Sequence, residues 1–298
     1  MENKVSNYKK THAINSWVSL IMSSLIVIFV FISVVRNLIT LPTEQFPEVG
    51  TKTFRMFTVL SNMFVAITSA MCIPFAVEGI REKNYHLPRW IVNLTYISVT
   101  AISLTFVTTI TVLGPTQGYV LMLFKRSNLF VHTLVPIFSI TAFLFVNTYH
   151  TIKFKTLLYA MIPVFLYASV YFISAIIVGE DNGGWRDHYR FTEIMPWYLA
   201  LVVMMSAAFG LGALIRFVHN KMHQIDKVNF ENYYMNDEEF NHPTIEEAVK
   251  HLANENKKYD TAGELIVPRR IIKMFIKKYE SNKPLHELCS LYVDEYYK

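Results

Sequence analysis

Six apolar runs separated by short polar islands set the plan of this 298-residue chain. They lie near residues 17–39, 54–79, 90–113, 128–147, 157–178 and 195–218. An α-helix rises 1.5 Å per residue, so about 20 residues cross a hydrocarbon core. None of the runs alternates with a strict two-residue period, which argues for helices rather than a barrel. The pattern predicts an all-α membrane protein, a six-transmembrane-helix bundle over residues 1–218. The first run is too long for a signal-peptide core and lacks a small-residue cleavage pattern, so it is expected to stay as the first span.

After about residue 217 the pattern changes abruptly to Lys, Glu, Asn and Asp. Residues 219–298 are expected to form a small helical cytoplasmic tail. Thr244-Ile245-Glu246-Glu247 has the form of a capping box, and further helices should follow Pro268 and Pro284. Ile271, Ile272, Phe275, Ile276 and Tyr279 share one side of the second of these, with basic residues around the rest. That side either packs a small domain or lies on anionic lipid.

Composition strengthens the membrane assignment: 52% of residues are hydrophobic and 17% charged, where a soluble domain carries about 25% charged. The net charge of +5 sits mostly at span ends and in the tail, so it does not point to a nucleic-acid partner. Lys4, Lys9, Lys10, Arg81, Lys83, Arg89, Lys153, Lys155, Arg216 and Lys221 fall on one side of a six-span bundle. Lys52, Lys125, Arg126, Arg186 and Arg190 fall on the other, among Glu44, Glu48, Glu180, Asp181, Asp187 and Glu193. The balance places both termini on the cytoplasmic side. Cys72 and Cys289 are too few for a disulfide framework and have no neighbours at metal-ligand spacing. No cofactor or metal is expected.

Two stretches carry candidate chemistry. Phe57-Thr58-Val59-Leu60-Ser61-Asn62 opens the second run, and His132-Thr133-Leu134-Val135-Pro136 lies early in the fourth. On this topology Thr58 and His132 arrive at similar depth from the external side. A threonine hydroxyl becomes a useful nucleophile when a base takes its proton, and histidine is the usual base near neutral pH. Thr58, Ser61 and Asn62 share a helix face, where Asn62 is placed to donate to an oxyanion or orient the imidazole. The competing reading is that these groups only pack helices, and that His132 is a buried histidine bonded to a carbonyl. Pro136 withholds a hydrogen bond from the carbonyl of residue 132. Span 3 is rich in Ser and Thr, whose hydroxyls are expected to bond to the preceding turn.

These two motifs resemble the androgen-induced protein family of integral-membrane threonine hydrolases and its bacterial relatives, over roughly residues 14–218. The resemblance implies a multi-span helical fold, Thr58 as nucleophile, His132 as base and a fatty acyl ester substrate. Ser61 and Asn62 depart from the animal pattern, in which an acidic residue can follow the threonine at that offset. The expected function is therefore a lipid ester hydrolase in a bacterial cytoplasmic membrane. Thr58, His132 and Asn62 are the candidate catalytic residues. Ser61, Arg36, Arg55, Arg126, Asp187 and His188 are candidates for substrate binding; for the arginines, snorkelling to headgroups is the plainer role. Expected partners are membrane lipids, the ester substrate and a cytoplasmic protein reached through the tail. The alternative is a non-enzymatic carrier or sensor coupled to that tail.

Overall fold

The computed structural model describes residues 2–42, 48–82, 87–148, 150–189 and 195–235, with side chains described from residue 14 to residue 225 within those limits. All regular structure among the described residues is helical. Helix α1 spans Glu2–Ile39 and α2 spans Phe57–Glu82. Helix α3, Arg89–Gln117, passes through a π-helical turn at Thr109–Leu113. A short α4, Tyr119–Phe124, precedes α5, Leu129–Phe145, whose first part is a π-turn over Leu129–Leu134. Helix α6, Phe154–Val178, ends in a third π segment, Phe172–Val178. Helix α7 spans Trp197–Met235.

Five of these helices are long and apolar enough to cross a membrane: Ile14–Ile39, Phe57–Arg81, Arg89–Gln117, Phe154–Val178 and Trp197–Ile225. The fourth run of the sequence forms the shorter apolar helix α5 instead. That helix, Leu129–Phe145, starts one residue later and stops two residues earlier than the run, and it follows a bend where Arg126 adopts a left-handed φ of 57°.

The chain divides into two compact units, Ala13–His223 and Met1–His12 with Gln224–Lys298. In the second, helix is described over residues 2–12 and 224–235. The helices expected after residues 244, 268 and 284 lie outside the described residues. The division expected at residue 218 falls inside α7, which continues as helix to Met235.

The first unit is built around α3. Some 61% of its most apolar window is buried, against 17% for α6. Most of its hydroxyls bond back to the preceding turn, as Thr100 to Tyr96 O and Ser103 to Val99 O. This hides them from lipid at little cost to packing. Others link helices: Ser98 meets Thr68 of α2 at 2.9 Å. On another face Tyr96 donates to the carbonyl of Gly212 in α7 at 2.8 Å. A side chain at Gly212 would lie 2.8 Å from Leu157, so glycine is what lets α7 approach α3 and α6 this closely.

At the end where α5 stops and α6 begins, buried main chain must find donors. Helix α7 supplies most of them. His219 sets Nδ1 3.1 Å from Phe143 O and Nε2 2.9 Å from His150 O, and its ring stacks on Phe143. Arg216 and Asn220 donate to Ile152 O, His223 reaches Thr148 O, and His150 reaches Leu87 O.

Candidate functional site

The opposite end of the bundle, where α2 starts, holds the sequence candidates. The chain enters α2 through a short 3-10 turn, Gly50–Arg55, and an extended Met56. Helix therefore begins at Phe57 rather than near residue 54, and Thr58 stands in the first turn instead of a turn deeper. The first N–H groups of a helix lack partners within it. Phe57 N–H donates to the phenolic oxygen of Tyr189, 2.9 Å away in the loop before α7. Thr58 and Tyr167 lie beside the same phenol. Burial pushes the Tyr189 phenol above its ordinary pKa, which keeps it neutral.

Thr58, Thr105, Thr108 and Thr109 line one wall of a cavity between α2, α3, α6 and α7. Tyr167, Tyr171, Phe172, Tyr189 and Trp197 supply its aromatic walls. It holds about 830 Å³ of empty space, its mouth included. On the other side of Phe57 and Tyr167, a second groove lined by Leu60, Phe64, Leu166 and Val170 opens on the outside of the bundle. Leu166 and Val170 are 58% and 49% exposed there.

His132 is buried within the π-turn of α5. Its Nδ1 lies 2.8 Å from the hydroxyl of Thr109, which opens the π-turn of α3. The structure therefore brings His132 to the cavity through Thr109; no hydrogen bond between Thr58 and His132 occurs. A π-turn holds an extra residue per loop and recurs at functional sites. Proline at 136 leaves the carbonyl of residue 132 without its α-helical partner, and the π register just before it accommodates this, with Val135 N–H bonded to Phe130 O.

Asn62 ties the two elements together. Its amide nitrogen donates to Thr58 O at 2.7 Å and Val131 O at 3.0 Å, which fixes the amide orientation and leaves Oδ1 buried without a partner. Both amide protons are thus on main-chain carbonyls. Ser61 bonds to Thr58 O and to the Thr105 hydroxyl at 3.0 Å, and lines the second groove.

The remaining candidates separate. Tyr167 donates to Arg55 O at 2.7 Å, and the Arg55 guanidinium lies over Trp185, 5.7 Å from the ring centre. Asp187 accepts from Tyr171 at 2.5 Å, and His188 packs edge-on to Tyr171 and against Tyr189. These three border the cavity through its tyrosines. Arg36 and Arg126 are exposed and do not line it. Among the described residues no group of three or more His, Cys, Asp or Glu could hold a metal ion.

Sequence reasoning gave no role to Thr109, Tyr167 or Tyr171. Thr109 stood in the Ser/Thr-rich third run, and only the π-turns single it out. Comparisons of the chain with family models, curated proteins and solved structures find no match. Fold and site together define a class: a protein whose described residues are helical, with five helices long and apolar enough to cross a membrane and a hydroxyl-lined aromatic cavity at one end of its bundle.

Proposed function

We propose that this protein is an integral-membrane hydrolase of lipid esters of the fatty acyl type. His132 is the base, and a threonine hydroxyl of the cavity wall is the nucleophile. The observation that carries the reading is a buried imidazole in hydrogen-bond contact with a threonine of the wall of a largely apolar cavity. Such a wall suits an acyl chain, and the hydroxyl–imidazole contact suits acyl transfer. The second groove supports entry of a lipid from the side, since Phe57 and Tyr167 line both it and the cavity. The resemblance gives the nucleophilic role to Thr58, which lines the cavity. In this reading α5 completes a six-span bundle with both termini cytoplasmic, in a bacterial cytoplasmic membrane, and the site opens to the external leaflet.

The test is turnover of a long-chain fatty acyl 4-methylumbelliferyl ester by the purified full chain in lipid nanodiscs. We expect steady hydrolysis that His132→Gln lowers by about 100-fold or more, in line with loss of a general base. Equal rates in wild type and variant would remove the reading.

One observation favours a second reading, a sensor or carrier of lipid or small molecules. Helix α7 lends Trp197, Ala200, Leu201 and Met204 to the cavity wall and runs unbroken to Met235. Saturable lipid binding without turnover would select it.

A further inference from the structure

The Thr109–His132 contact assigns a different nucleophile from the one the motifs suggest. Thr109 is fully buried and His132 5% exposed, so neither group competes with bulk water for its partner. Both elements are pinned at this point. Asn62 holds Val131 O at 3.0 Å, and the Thr133 hydroxyl donates to Leu123 O at 2.8 Å. The Thr109 hydroxyl has one proton and two acceptors in reach, Thr105 O at 2.8 Å and His132 Nδ1 at 2.8 Å. With the proton on Thr105 O, Nδ1 carries its own hydrogen and donates to Thr109. With the ring in the other tautomer, Nδ1 is bare and accepts the threonine proton. The second arrangement is a hydroxyl poised beside its base. Thr58 has the phenol of Tyr189 as its neighbour instead, and a phenol is too weak a base at neutral pH to activate an alcohol.

We propose that Thr109 is the nucleophile of the lipid ester hydrolase, with His132 acting on it directly. This rests on the hydrolase reading above. Thr109 Oγ1 attacks the ester carbonyl carbon as its proton passes to His132 Nδ1. The C–O bond to the alcohol then breaks, and the alcohol leaves with the proton from the imidazolium. Water attacks the acyl-threonine, gives its proton to Nδ1, and releases the fatty acid while the proton returns to Oγ1. Thr58, on the same wall, serves as a hydroxyl donor to the substrate oxygen.

The deciding experiment maps the adduct of a long-chain alkyl fluorophosphonate on the wild-type full chain by peptide mass spectrometry, beside hydrolysis by two variants in nanodiscs. We expect the adduct on Thr109, loss of about 100-fold or more in hydrolysis for Thr109→Val, and recovery in Thr109→Ser. The mapping needs no variant, so a misfolded substitution does not obscure the outcome. An adduct on Thr58, or wild-type hydrolysis by Thr109→Val, overturns the assignment and leaves the hydrolase reading standing. Absence of both adduct and hydrolysis in the wild type overturns both.

Discussion

Two buried histidines at opposite ends of the bundle show what separates a structural imidazole from a chemical one. His219 lies between two main-chain carbonyls, stacked on Phe143. Its partners accept hydrogen bonds but hold no proton to give. His132 faces a side-chain hydroxyl that carries a proton and lines a cavity. Burial alone is therefore uninformative about role. What the nitrogen faces makes the difference.

The contrast breaks most easily by exchanging the losses. His132→Gln should cost activity and little stability. His219→Ala should do the reverse, because it strips the single imidazole N–H from the carbonyl it serves, Phe143 O or His150 O; an orphaned buried carbonyl costs about 1–3 kcal/mol. Cys72 is a free buried thiol, so its reaction with a thiol dye on heating, in a Cys289→Ser background, reports unfolding. We expect a clear fall in the unfolding temperature for His219→Ala with unchanged turnover per folded molecule. An unchanged temperature would mean that the carbonyls at that end find other donors, and the proposed division of labour would fail.

The site end has its own structural group, and its loss should be smaller. Tyr189→Phe keeps the ring and removes the oxygen that takes Phe57 N–H. Losing one cap of this kind costs about 1 kcal/mol. Because the phenol also contacts Thr58, we expect KM for the ester to change more than kcat. A loss confined to kcat would place Tyr189 in the chemistry rather than at the wall.

How far the sequence reveals these two ends follows from the kinds of interaction involved. Apolar run length located all the long helices, because burial of main-chain polar groups in lipid leaves helix as the economical solution. The fourth run, 128–147, corresponds to the shorter apolar helix Leu129–Phe145. Helical spacing put Thr58, Ser61 and Asn62 on one face, and their bonds to one another's surroundings follow that face. Spacing could not give the direction of His132 or Thr109. Each lies in a π-turn, whose extra residue rotates the side chains away from the i, i+4 register. The use of Tyr189 to cap α2 depends on a contact across 132 positions, which no local pattern announces. The histidine cluster at the other end was silent because its partners are main-chain carbonyls, which any residue supplies.

The smallest effect expected is a pH dependence confined to that loop. His188 has both ring nitrogens buried without a hydrogen-bond partner, packed against Tyr171 and Tyr189. Burial lowers its pKa to about 4, with Arg55 pushing the same way and Asp187 opposing. An exposed histidine in the opened loop titrates near the ordinary 6.5. Between these values the open loop binds a proton that the closed loop refuses. The loop is thus at its most stable above about pH 6.5, and stability falls as pH drops through the folded pKa near 4. Hydrogen exchange of peptides covering residues 179–189, corrected for intrinsic rates, should quicken from pH 7 to pH 5 in the wild type. His188→Phe removes the titrating group and keeps an aromatic ring between the tyrosines, so its corrected rates should stay flat over that interval. A wild-type profile as flat as the variant's would mean that His188 stays solvated and adds nothing to the packing of the loop on the cavity's tyrosines.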